Sequence, residues 1–93
     1  MDGIFYKCKN IQFARYMMNK YYVEDKNGKL ENFSHSSKMD VYDFPLATII
    51  LTETPEEGII LFSDKKYEDQ LRGMKSMLEK VTTLDLEEIK NGN

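Results

Sequence analysis

The chain contains one cysteine, Cys8, and one histidine, His35, and these are the first residues to test for chemistry. A single cysteine cannot close an internal disulfide, and one Cys with one His cannot complete a four-ligand structural zinc site. Cys8 ends the segment Ile4-Phe5-Tyr6-Lys7-Cys8, whose aromatic and β-branched residues suit a strand. A nucleophilic thiol needs a base or a cationic setting. Lys7 and Lys9 flank Cys8, but in a strand they point to the other face, so the expectation is a small buried thiol. His35 stands among Ser34, Ser36 and Ser37. A serine nucleophile needs a base within reach and an acid that orients the base. Sequence neighbours do not supply that geometry, and there is no Gly-x-Ser-x-Gly elbow. His35 therefore reads as a solvated loop histidine.

Asp25-Lys26-Asn27-Gly28-Lys29 has the look of a calcium loop, but its fifth position is Lys29 and its sixth is Leu30, where glycine is required. Gly28-Lys29 lacks the earlier glycine and the following Ser/Thr of a phosphate-binding loop. No glycine cluster supports a dinucleotide. The reading assigns no catalytic residue, no metal and no cofactor, and expects a protein that is not an enzyme.

Surfaces are then the candidates. The six tyrosines, Tyr6, Tyr16, Tyr21, Tyr22, Tyr42 and Tyr67, cannot all be buried with satisfied hydroxyls, and exposed tyrosines make good interface anchors. Glu53, Glu56, Glu57, Asp64, Glu68 and Asp69 fall around one turn and the helix start after it, and Met39–Asp43 could extend that patch. The candidate interface residues are Tyr16, Tyr21, Tyr42, Asp43, Glu56, Glu57, Glu68 and Asp69. Net charge is −3 and unevenly spread. Residues 1–38 hold seven basic and four acidic side chains (+3), and residues 39–93 hold six and twelve (−6). An acidic chain suits a basic protein surface better than DNA or an anionic membrane. The expected partner is another protein, with a homodimer as an option, no membrane, and nucleic acid disfavoured.

The elements that must position these residues follow from periodicity. Asn10 can cap a helix in which Ile11, Ala14, Met17, Met18, Tyr21 and Tyr22 recur at steps of three and four. Asn27-Gly28 marks a turn between Tyr21–Asp25 and Lys29–Phe33, which predicts a hairpin there. Ser34 to Asp43 is polar and reads as a loop, and Phe44-Pro45 marks a boundary. Leu46–Glu53 and Gly58–Phe62 predict the central hairpin around Thr54-Pro55-Glu56-Glu57-Gly58. Their continuous apolar runs predict cover on both faces, by helices or by a partner. Tyr67, Leu71, Met74, Leu78 and Val81 trace a long helix capped by Ser63 or Asp64, with Gly73 inside it. Thr82 with Asp85 suggests a capping box and a short final helix, Leu84–Lys90.

The expected fold is one α+β domain over residues 1–93: an antiparallel sheet of about four to five strands carrying two main helices, in the order β-α-ββ-ββ-α-(α). Its strand-then-helix opening resembles the start of a ferredoxin-like βαβ unit, with a second hairpin where a single strand would stand. In composition (short, acidic, rich in Lys, Asn, Ile and Tyr) the chain is similar to small proteins of phages and mobile elements, including inhibitors of host enzymes and defence nucleases. That similarity implies a non-enzymatic binding module that regulates or inhibits a larger host protein. One alternative is a small enzyme or ligand-binding domain using Ser34–Asp43. Another is a nucleic-acid binder using Lys7, Lys9, Arg15 and Lys20. The stretch around Lys7 and Lys9 has no secretory h-region and no apolar run is long enough to span a bilayer, so the expected location is cytoplasmic.

Overall fold

Alternation along the middle strands decides the architecture. In the computed structural model, which describes residues 3–24, 30–45, 47–54, 57–64 and 68–90, Ala47, Ile49 and Leu51 are buried while Thr48, Ile50 and Thr52 are half-buried. A strand presents successive side chains to opposite faces, so only one face of the sheet is fully covered. The chain folds as α+β, with a six-stranded antiparallel sheet and two helices packed on it. The strands are β1 (Ile4–Cys8), β2 (Asn32–His35), β3 (Met39–Asp43), β4 (Ala47–Glu53), β5 (Gly58–Asp64) and β6 (Glu87–Ile89). The helices are α1 (Ile11–Met18) and α2 (Glu68–Thr82). Spatial order is β2-β3-β4-β5-β1-β6, which puts the β4–β5 hairpin at the centre, as its apolar runs predicted, and inserts β1 between β5 and β6.

Both helices lie on the same face. Ile11, Ala14 and Met18 of α1 and Leu71 and Leu78 of α2 join Tyr6, Tyr42, Ile49, Leu51, Ile60 and Phe62 of the sheet in one buried cluster. Tyr6 and Phe62 meet edge to face, ring centroids 5.3 Å apart. The Asn10 side chain caps α1 by accepting from the Phe13 N–H at 3.1 Å, as its residue type predicted. Gly58 lets α1 start where it does: a Cβ there would lie 2.8 Å from Ile11 Cγ1.

Four expectations are corrected. Asn19–Glu24 continues α1 as a π-helix, so Tyr21–Glu24 is not the arm of a hairpin; extending an existing helix avoids the cost of a new nucleus, which outweighs the strand preference of Tyr21, Tyr22 and Val23. Asn27-Gly28 lies outside the described residues. Ser34–Asp43 is not a loop but most of a hairpin, β2 pairing with β3 (His35 opposite Asp40) around Ser36–Lys38. The polar sequence fits because an edge strand leaves much of its side-chain surface to water.

The last two corrections concern the C-terminal end of α2. No capping box forms at Thr82. Its hydroxyl donates back to Leu78 O at 2.7 Å, and Thr83 takes a positive φ of 57° that ends the helix. The final segment is a strand instead of a helix: Leu86 N–H donates to Glu79 Oε2 at 2.9 Å, and Glu87–Ile89 pair with β1. The unfilled edge of β1 outweighs local helix preference there.

Candidate functional site

Spacing on α1 puts Arg15 on the same side as Ile11, Ala14 and Met18, facing the sheet. It meets Asp40, the inward residue of β3, which is fully buried. The guanidinium grips the carboxylate with two prongs, Nε to Oδ2 and Nη2 to Oδ1, each at 3.2 Å. Arg15 Nη2 also donates to Ser36 O at 2.8 Å and Nη1 to Ser37 O at 3.3 Å, while Glu53 Oε1 stands 3.8 Å from Nη1. His35 Nδ1 closes on Asp40 Oδ1, and its ring stacks on Phe33 with centroids 6.3 Å apart. The hydrogen bond to Asp40 holds the Arg15 proton more firmly than usual, against the opposing effect of burial.

An exposed histidine backed by a buried carboxylate has the form of a general base. A base also needs a concave site where substrate can approach. A cavity of about 470 Å³ lies elsewhere, lined by Lys7, Lys9, Glu57 and the stretch Thr83–Glu87. Among the described residues, no three His, Cys, Asp or Glu side chains gather as metal ligands. The Arg15 and Asp40 groups are spent on one another and on the turn carbonyls, so the cluster ties α1 to the β2–β3 hairpin.

The expected interface residues do not form one surface. Tyr16 and Tyr21 are exposed, at 60% and 50%, on α1 and its π-helical extension, with Lys20 Nζ 6.0 Å from the Tyr16 ring centre. Tyr42 is corrected to a core residue. Strand alternation turns it inward, it is 0% exposed, and its hydroxyl donates to Asn19 Oδ1 at 3.0 Å. Asp43 accepts from the Thr48 hydroxyl at 2.9 Å. Glu57 stands 3.8 Å from Lys7, and Glu68 accepts from Arg72 at 3.2 Å. Glu57 precedes β5 while Glu68 and Asp69 follow it, so a strand of roughly 20 Å separates the two acidic groups. Glu56 lies outside the described residues.

The continuous apolar runs predict cover on both faces of the sheet, and the helices supply it on one. Registers align Val41, Ile50, Leu61, Phe5 and Ile89 side by side from β3 to β6. Ile59 and Thr52 stand in the next row, with Met39 43% exposed at its end. Leu61 is buried but lies outside the main core cluster; Val41, Ile50, Phe5 and Ile89 are half-buried. No described element covers this row. The signal was present in the continuous runs Ile49-Ile50-Leu51 and Ile59-Ile60-Leu61-Phe62, whose second face the helices leave bare.

Compared with known proteins, the chain matches no family model, no curated protein and no solved structure. Among the described residues no helix is long and apolar enough to cross a membrane.

Proposed function

We propose that this protein is a non-enzymatic protein-binding module whose working surface is the bare face of its sheet. The observation that carries this reading is the row Val41–Ile50–Leu61–Phe5–Ile89, five apolar side chains adjacent across five strands with no described element over them. Contiguous apolar area of that kind on a small domain marks a contact surface. The nucleic-acid alternative has less support, because Arg15 is buried against Asp40 and Lys7 lies beside Glu57, which removes two of its four basic groups from a phosphate-facing surface. The enzyme alternative has His35 and Asp40 together, but the cavity of about 470 Å³ is lined by other residues.

A photo-crosslinking residue placed at Ile50, with the same residue at exposed Gln12 of α1 as control, tests the reading in the cells that make the protein. Protein adducts from position 50 and none from position 12 are expected. Absence of any protein adduct from position 50 overturns it.

A further inference from the structure

We infer that the partner of the bare sheet face is a second copy of this chain, packed sheet to sheet about a two-fold axis. This rests on the reading of that face as a binding surface and names its occupant.

Three properties of the face select a copy of itself. The first is its charge. The centre of the row holds no ionisable group, and the charges stand at the rim in both signs, Lys7 directly opposite Glu87 and close to Glu57. A partner of strong single sign gains nothing from such a surface, whereas a second copy brings the same uncharged centre and mixed rim to the contact. The chain's acidity therefore does not oppose the contact at its centre.

The second is shape. A twisted sheet studded with β-branched and aromatic residues is matched by another of the same twist, and two such sheets pack with their strands at about 30° and a layer of side chains about 10 Å thick between them. Ile50 and Leu61, opposite one another on β4 and β5, lie near the middle of the row, where the axis would pass.

The third is size. Five strands of three to seven residues, about 10 to 23 Å long at about 4.8 Å spacing, give a footprint of roughly 430 Å² per copy. A pair then hides on the order of 900 Å², just under the roughly 1,000 Å² of a stable specific interface. The contact is of the small kind, so the dimer should exchange and depend on concentration.

Sedimentation equilibrium of the full chain across a range of micromolar concentrations tests this. The wild type is expected to approach twice the 10.9 kDa chain mass. Ile50→Lys, and independently Thr52→Lys on the neighbouring row, are expected to weaken association at least tenfold while far-UV circular dichroism and thermal unfolding of the monomer stay unchanged. Thr52 is half-buried on the bare face, so its variant serves if Ile50→Lys fails to fold. A wild type that stays monomeric throughout overturns the second-copy proposal. If position 50 then still crosslinks to another protein, the binding-surface reading survives with a different occupant; if it crosslinks to nothing, both fall. A dimer that tolerates both lysine variants but is broken by Tyr16→Lys uses the helical side and also overturns the proposal.

Discussion

Arg15 and Asp40 sit twenty-five positions apart in the chain and form a buried, two-pronged ion pair, with both hydrogen bonds at 3.2 Å and side-chain exposures of 9% and 0%. The pair joins the first helix to the third strand. The same guanidinium holds the carbonyls of Ser36 and Ser37, so one side chain fixes both the helix position and the turn of an edge hairpin.

Breaking this pair from one side should be far worse than removing it whole. Asp40→Ala strips the buried guanidinium of its two-pronged partner, leaving Glu53 at 3.8 Å as its counter-charge, and is expected to cost about 3 kcal/mol. The double variant Arg15→Met with Asp40→Leu should recover most of that. Urea unfolding of the two variants and the wild type checks this; equal losses for single and double variants would contradict it.

Two glycines should respond in opposite directions. A Cβ at Gly73 in the middle of α2 meets nothing within 4 Å, so Gly73→Ala should gain about 1 kcal/mol of helix stability. A Cβ at Gly58 would press on Ile11, whose Cγ1 and Cδ1 would lie 2.8 and 2.9 Å away. Gly58→Ala should cost about 1–3 kcal/mol through overpacking. Thermal melts of both variants read the two signs directly.

Stability should fall on the alkaline side. Burial raises the Cys8 thiol and the Tyr42 and Tyr6 phenols above their ordinary values, with Asp40 adding to the effect at Tyr42 and Glu88 at Tyr6. In the unfolded chain the thiol ionises near pH ~8.5 and the phenols near ~10. The folded chain keeps those protons longer, so it binds more protons than the unfolded chain and loses stability as pH rises. The contribution is complete below about pH 8 and declines through the thiol range, more steeply through the phenol range. A urea midpoint that holds constant from neutral pH to beyond the phenol range would refute this. Tyrosinate absorbance should show Tyr6 and Tyr42 ionising only with the unfolding step.

Cys8 should resist thiol reagents in the native protein. It is 1% exposed, and burial disfavours the thiolate that would react. Labelling should stay slow until denaturant is added and then run at the rate of a free thiol. Rapid native labelling would place Cys8 at the surface.

What the sequence made legible was local. Asn10 with Ile11, Ala14 and Met18 announces a capped amphipathic helix, and the apolar runs of β4 and β5 announce the centre of the sheet, because each signal is carried by neighbours. The failures share a cause. His35 looks like a loop residue until Asp40 meets it across a hairpin, and Asp40 looks like a surface carboxylate until Arg15 arrives from a helix twenty-five residues earlier. Glu87–Ile89 becomes a strand only because Phe5–Lys7 offers it an edge. Tyr42 belongs inside because the pleat of β3, invisible in a polar stretch, turns it there. Residue type alone marks the tyrosines and acids as interface candidates; the apolar row becomes a surface only once five strands are in register.

The position of β1 has a consequence for how the molecule is made. Its two neighbours, β5 and β6, are the fifth and sixth of the described strands. A nascent chain leaving the ribosome therefore carries Ile4–Cys8 without a bonding partner until residues 58–64 have been synthesised, and with one flank bare until 87–89 follow. Contacts this distant in sequence form slowly. Ile4–Cys8 must therefore wait unpaired while the helix and two hairpins between it and its neighbours are made, and the sheet closes around a strand that was synthesised well before the strands that flank it.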